Sequence, residues 1–190
     1  MATASGCSGG CMPDRPTVSR ELLATVPIAL VGGVLHFAFE WAGGWPPLAV
    51  FAAVNESVWE HLKIAFWPAA AWALGEAAVL RCGGAAFWGA RGVGLFAIPL
   101  LIALVFYAYT AVLGHHVLGI DLALFVAAIA AGQTLSAALI GAARASRAVR
   151  VAGCALLVVQ LAAFASLTYA PPDLVLFDAP SASAWTLSAK

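Results

Sequence analysis

The sequence predicts an all-α fold, a polytopic transmembrane bundle of about five helical spans. Three observations lead to this prediction: 63% of the 190 residues are hydrophobic, only 9% are charged, and the apolar residues gather into long stretches. Soluble domains carry about 25% charged residues, so a soluble globular domain is excluded. With nine basic and nine acidic residues the chain has no basic surplus, which excludes a nucleic-acid-binding protein.

Each predicted span is an apolar stretch of about 20 residues, the length that crosses roughly 30 Å of hydrocarbon. The first is too long for a cleaved signal peptide and ends without a small-residue cleavage site. The second contains Pro68, which predicts a kink because proline removes a backbone donor. Short connections favour antiparallel packing in one bundle over 21–170. The predicted spans are 22–41, 57–80, 96–113, 120–143 and 151–169, with polar tails at 1–20 and 171–190.

The positions of Lys and Arg predict the orientation of the chain in the membrane. With the N-terminus inside, seven arginines fall on the cytoplasmic side, and only Lys63 and Lys190 fall outside. The cytoplasmic set is Arg15, Arg20, Arg81, Arg91, Arg144, Arg147 and Arg150. We therefore expect an N-in, C-out, multi-pass protein of the inner (cytoplasmic) membrane, surrounded by membrane lipids. Its outer end is predicted to be acidic and to attract cations.

Side chains that commonly bind metals are predicted to gather at the outer end of the bundle. Ionisable residues at membrane depth normally face the bundle interior and mark functional sites. His36 and Glu40 lie one turn apart on one face of the first helix, so they can bind one ion together. The predicted metal ligands are His36, Glu40, His61 and His115, and the predicted cofactor is a divalent ion such as Zn²⁺. Whether His115 or its neighbour His116 points inward stays open.

The densest polar segment is VNESVWEHLK at 54–63. If the segment is helical throughout, Glu56, Glu60 and Lys63 share one face. Beside a metal-activated water, Glu60 or Glu56 is the predicted general base, and Lys63 stabilises developing negative charge. A structural interpretation stands beside this one, since Ser57 and Glu60 have the spacing of a helix-capping box.

Few other polar residues are predicted at membrane depth. Gln133 and Gln160 lie near the middle of their helices, and we expect them to bond each other because an unsatisfied buried amide is costly. In the inner half Glu76 stands out, with Arg81 as its expected counter-charge. In the last tail, Asp178 either folds back over the outer mouth or belongs to a disordered segment.

Three motifs of the chain resemble those of a family of small bacterial integral membrane proteins of unknown function. The motifs are H-x3-E-W at 36–41, VNESVWEHLK at 54–63 and the Pro-Pro pair at 171–172. The resemblance implies a bacterial membrane protein with its polar motif on these helices. It implies no particular activity or ligand.

The sequence leaves several functions open. The first is a metal-dependent hydrolase or transferase that acts on a lipid or lipid-linked head group. The second is a proton- or cation-binding transporter or channel, in which Gln133 and Gln160 continue the path inward. Further alternatives are a haem protein with His36 and His115 as axial ligands, and a structural or accessory membrane protein without catalytic activity. The oligomeric state stays open.

Overall fold

A computed structural model of the chain describes residues 18–81 and 83–179, and within them it has the predicted all-α class. Five α-helices are joined by short connections, with 3-10 helices at Pro46–Val50 and Val175–Phe177. The tail cysteines Cys7 and Cys11, whose Cys-x3-Cys spacing is a weak metal motif, lie outside the described residues. The helices are α1 (Val18–Trp41), α2 (Val58–Leu80), α3 (Ala85–Leu113), α4 (Leu118–Ala145) and α5 (Arg147–Leu167).

Four of the five described helices, α1, α3, α4 and α5, are long and apolar enough to cross a membrane. They make the chain a multi-pass membrane protein. The remaining helix, α2, carries Glu60, Lys63 and Glu76, and 11 of its 23 residues are buried. At 1.5 Å per residue it extends about 35 Å. Four of the five predicted spans therefore correspond to these apolar helices, and the second corresponds to α2, a helix with three charged residues that packs against α1, α3 and α4.

Consecutive helices run in opposite directions, so their ends meet in two groups. One group, which we call the amino end, holds the start of α1 and the connections at 81–84 and Ser146. The other, the loop end, holds the connections 42–57 and 114–117 and the segment 168–179. The predicted orientation puts the amino end in the cytoplasm, and this stays a prediction.

The third helix begins earlier than the sequence predicts. Its span was expected at 96–113, but α3 begins at Ala85 and contains Arg91. Arg91 was counted among the cytoplasmic arginines, yet its side chain is completely buried, with 0% exposed. The charge interrupts the apolar stretch in the sequence, whereas in the fold Glu21 and Glu76 neutralise it.

The polar residues at membrane depth have other partners than those that the sequence predicts. Gln133 Oε1 accepts a hydrogen bond from Arg91 Nη1 at 3.4 Å, and Gln160 Nε2 donates to Leu95 O at 3.4 Å. The expected bond between the two glutamines is therefore wrong, because α4 and α5 pack chiefly on α3 and less on each other. Glu76 is neutralised by Arg91, since the early start of α3 brings that arginine to the depth of Glu76.

Small residues allow α3 to approach α4 and α5 closely. Gly94 faces Gly132 and Ser136 of α4, and a Cβ atom added at Gly94 would overlap both. On α5, Gly153 lies against the backbone of α3 in the same way. Such small-residue contacts are the usual means by which transmembrane helices pack, because lipid supplies little hydrophobic driving force between them.

We expect Gly94→Ala to lower the thermal unfolding midpoint of the protein in detergent, because the added methyl group has no space against α4. The matched control is Gly141→Ala, where the added Cβ meets nothing within 4 Å. Since alanine favours a helix over glycine by about 1 kcal/mol, the control is expected to be neutral or stabilising. Equal midpoints for the two variants would contradict close packing at Gly94.

Candidate functional site

Three side chains that the sequence singled out meet at the loop end: His36 of α1, Glu56 of the connection and His61 of α2. Glu56 Oε1 lies 3.6 Å from His36 Nε2, and Glu56 Oε2 lies 3.6 Å from His61 Nε2. One ligand atom from each residue lies within 4.8 Å of the others. A tetrahedral ion with bonds of about 2.1 Å spaces its ligand atoms about 3.4 Å apart. Small side-chain movements would therefore let these residues hold one divalent ion.

A turn just before α2 brings Glu56 to the histidines. The Ser57 backbone N–H donates to Asn55 Oδ1 at 2.8 Å, which forms an Asx turn, and Ser57 is extended. The helix consequently begins at Val58, so the condition under which Glu56, Glu60 and Lys63 would share one helical face is not met. Glu56 precedes the helix and does not share a helical face with the later charged residues.

The imidazole of His61 is oriented by the backbone of the same turn. His61 Nδ1 lies 2.8 Å from Ser57 O, so that nitrogen carries the proton and donates it to the carbonyl. The Nε2 lone pair then points to Glu56, which is the usual arrangement of a histidine that binds a metal. His36 Nδ1 is buried and has no hydrogen-bond partner among the described residues.

A cavity of about 850 Å³ lies beside the three side chains, and all three contribute to its wall. This volume is within the range of about 300–1,000 Å³ that is typical of small-molecule sites. Most of the lining is apolar and comes from α1, α3 and α4. It includes Val26, Leu30, Phe106, Leu122, Phe125 and Val126.

A second polar group lines the same cavity from α4 and the connection before it. His116 Nδ1 lies 3.1 Å from Asp121 Oδ2, and Asp121 Oδ1 accepts a hydrogen bond from the Tyr109 hydroxyl. Tyr109 is itself held by the Val117 backbone N–H at 3.3 Å. The structure thus indicates which of the neighbouring histidines points inward, since His116 lines the cavity and His115 does not.

Two of the four predicted metal ligands lie outside the cluster. Glu40 is exposed, one turn beyond His36 on α1, and Glu56 is the carboxylate that meets the histidines. His115 is exposed, and its Nδ1 lies 3.0 Å from Leu113 O at the end of its own helix. The cluster and the cavity include His36 but not His115, so nothing in this arrangement joins the two as axial ligands of a haem.

Glu60 and Lys63, two of the three predicted catalytic residues, form a buried ion pair of 2.7 Å away from the cavity wall. Lys63 Nζ also donates to Ala49 O at 2.6 Å and to Thr168 Oγ1 at 3.1 Å. Glu60 Oε2 accepts from the Val54 backbone N–H at 2.9 Å. These bonds fasten the connection 42–57 and the end of α5 to α2.

The expected capping box does not form, although Ser57 is the residue before α2. Its side chain makes no capping bond within the described part of the chain. Glu60, the second member of the box, instead binds the backbone of the preceding loop at Val54. The Glu60 carboxylate is also paired with Lys63, which lies one turn later in the same helix.

The C-terminal segment folds back over the loop end, which is one of the two outcomes expected for Asp178. The ring of Phe177 lies on Trp59 of α2, with centroids 4.7 Å apart. Val175 and Asp178 then contribute to the cavity wall. An acidic side chain near the end of the chain therefore belongs to the same cavity as the histidines.

We expect Lys63→Met to destabilise the protein by about 3–5 kcal/mol, because removing one partner of a buried ion pair leaves an uncompensated charge. The measurement is thermal or denaturant unfolding in detergent. The matched double variant Glu60→Leu/Lys63→Met removes both charges and should recover much of the loss. A Lys63→Met protein as stable as the wild type would contradict the structural role of this pair.

Comparison with protein families gives a match over nearly the whole chain. A family described as a family of unknown function (DUF6512) matches residues 14–185, which include all five helices and both polar groups of the cavity. Comparisons with curated proteins and with solved structures find no match. The resemblance to a family of unknown function is thereby confirmed.

Proposed function

The chain belongs to this family of unknown function, and we propose that it is a metal-dependent membrane enzyme, a hydrolase or transferase acting on a lipid or lipid-linked head group. A single observation carries the proposal: His36, Glu56 and His61 converge from three chain segments on the wall of one cavity. Glu56 and His61 are close in sequence, whereas His36 comes from α1 and meets them only because α1 packs against α2.

The donor set supports a catalytic metal rather than a structural one. Two imidazoles and one carboxylate are a known ligand set of catalytic zinc, which keeps one position for water or substrate. A bound divalent ion would supply a water that deprotonates near neutral pH and would polarise a carbonyl or phosphoryl oxygen. In this cluster the open position would face the cavity, since all three ligands belong to its wall.

His116 is the residue best placed to move protons in the cavity. Asp121 Oδ2 lies 3.1 Å from its Nδ1 and orients the imidazole ring, as in other histidine–carboxylate pairs. Glu56, a predicted base, would be occupied as a ligand, and Glu60 is occupied by Lys63. We therefore assign general acid and base work to His116.

The apolar lining supports an amphiphilic substrate. Several residues that line the cavity also have large exposed fractions, among them Leu30 on α1 at 68% and Leu122 on α4 at 59%. The cavity wall is therefore continuous with the surface that faces lipid. An acyl or isoprenoid chain can lie between α1 and α4 while its polar head group reaches the histidines.

Metal content is the first test of this proposal. We expect detergent-purified protein incubated with Zn²⁺ and then desalted to retain about one ion per chain. His61→Ala and Glu56→Gln should each weaken binding at least tenfold, measured by competition with a chromophoric chelator. The controls Glu40→Gln and His115→Ala remove the same chemical groups outside the cluster and should bind as the wild type does. Absence of retained metal, or equal loss in the controls, would refute the site.

Turnover is the second test, with vesicles of phosphatidylethanolamine and phosphatidylglycerol as the probe and released head group or fatty acid as the readout. We expect His116→Ala to lower the rate about 10²–10⁴-fold, the usual contribution of a general acid or base, with unchanged metal content. His115→Ala is the control. Metal binding without turnover on any lipid tested would favour the transporter or ion-binding alternative, and full activity in His116→Ala would exclude its catalytic role.

A further inference from the structure

We propose a second site at the opposite end of the bundle, a proton-binding pair formed by Glu21 and Glu76. In this pair one exchangeable proton is shared between the two carboxyl groups, and Arg91 holds both of them. The site lies in the amino half of the bundle and shares no residue with the metal cluster, so it stands independently of the proposed enzymatic activity.

The pair is built from three helices around one buried guanidinium. Arg91 of α3 contacts the carboxyl groups of Glu21 on α1 and Glu76 on α2 through the same nitrogen, Nη2. Its Nη1 donates to Glu21 Oε2 at 3.0 Å and to Gln133 Oε1 of α4 at 3.4 Å. The side chains of Arg91 and Glu21 are 0% exposed and that of Glu76 is 2% exposed.

Within the buried part of this cluster, which is Arg91, Glu21 and Glu76, the charges balance only when a proton is present. Two ionised carboxylates beside one guanidinium leave a net charge of −1 in a buried site, which is costly in a low-dielectric interior. Arg20 is the further cation that faces the pair, but its Nε lies 3.8 Å from Glu76 Oε1 and its side chain is 38% exposed. The contact with α4 comes from the neutral side chain of Gln133, which adds no charge to the cluster.

The two carboxyl groups also lie close together, because an oxygen of each contacts the same nitrogen, Arg91 Nη2. Ionised carboxylates have no proton to donate, so a hydrogen bond between them requires one of the two to be protonated. Carboxyl pairs in aspartic proteases share a proton for the same reason. Gln133 Nε2 and Arg91 Nε find no hydrogen-bond partner among the described residues, so the cluster is not the fully satisfied network expected of a purely structural ion pair.

A cavity gives the pair a connection to its surroundings. It measures about 430 Å³, lies between α1 and α2, and includes Arg20 and Glu76 in its wall. Glu76 Oε1 is buried and makes no hydrogen bond to any described residue, so this oxygen has a free acceptor position for a proton. Pro27 and Pro68 face the same space, and each lacks the backbone donor of a normal helix position.

Infrared spectroscopy of the purified full-length protein tests the proposal directly. A protonated carboxyl has a C=O stretching band that ionised carboxylates lack. We expect the wild type to show this band at neutral pH, to shift it in D₂O, and to lose it in Glu76→Gln. The control Glu40→Gln removes an exposed carboxylate and should leave the band unchanged. No band in the wild type overturns the shared proton, and a band that does not shift in D₂O overturns its exchange.

Stability measurements separate a shared proton from a permanent ion pair. A neutral glutamine replaces a protonated glutamate closely, so Glu21→Gln and Glu76→Gln should each keep the thermal midpoint within a few degrees of the wild type. The double variant leaves Arg91 without an anion and should be strongly destabilised. If each single variant is destabilised as much as the double variant, both carboxylates are ionised and the proposal is wrong.

Discussion

The buried ion pairs of α2 are the interaction on which the rest of the structure depends. A helix with charged side chains, such as α2, can pack among apolar helices only if those charges are neutralised, since isolated charges are costly in hydrocarbon. Glu60 and Lys63 neutralise each other near the loop end, and Arg91 of α3 neutralises Glu76 near the amino end. The ammonium group of Lys63 also binds Ala49 O in the connection before α2, so the Glu60–Lys63 pair positions that connection.

The candidate metal site is a consequence of this anchoring. The connection 42–57 is hydrogen-bonded to α2 through Lys63, which sets the position of the turn at its end. That turn directs Glu56 toward the two histidines. The charged residues of VNESVWEHLK thus divide into two groups. Glu60 and Lys63 hold the loop, while Glu56 and His61 face the cavity. This division reconciles the structural and the functional interpretations of the segment, since each applies to different residues.

The two polar sites lie at opposite ends of the bundle, separated by an apolar core. Phe66 and Phe164 are in ring contact at 5.0 Å within that core, and Ile98 is fully buried with them. Within the described part of the chain, the two cavities share no lining residue. We therefore treat the metal cluster and the carboxyl pair as separate sites, each with its own cavity on a different side of α1.

The sequence by itself determined the all-α class and the apolar helices, and it singled out His36, Glu56 and His61 as candidate site residues, because hydrophobic length and residue type are local properties. It did not reveal that Arg91 is a buried residue, since a charge inside an apolar stretch looks like the end of a span until its partners on other helices are known. Choosing His116 over His115, and Glu56 over Glu40, likewise required the tertiary structure. Residues of the same type have the same chemistry wherever they stand in the sequence, and only packing decides which of them reaches the cavity.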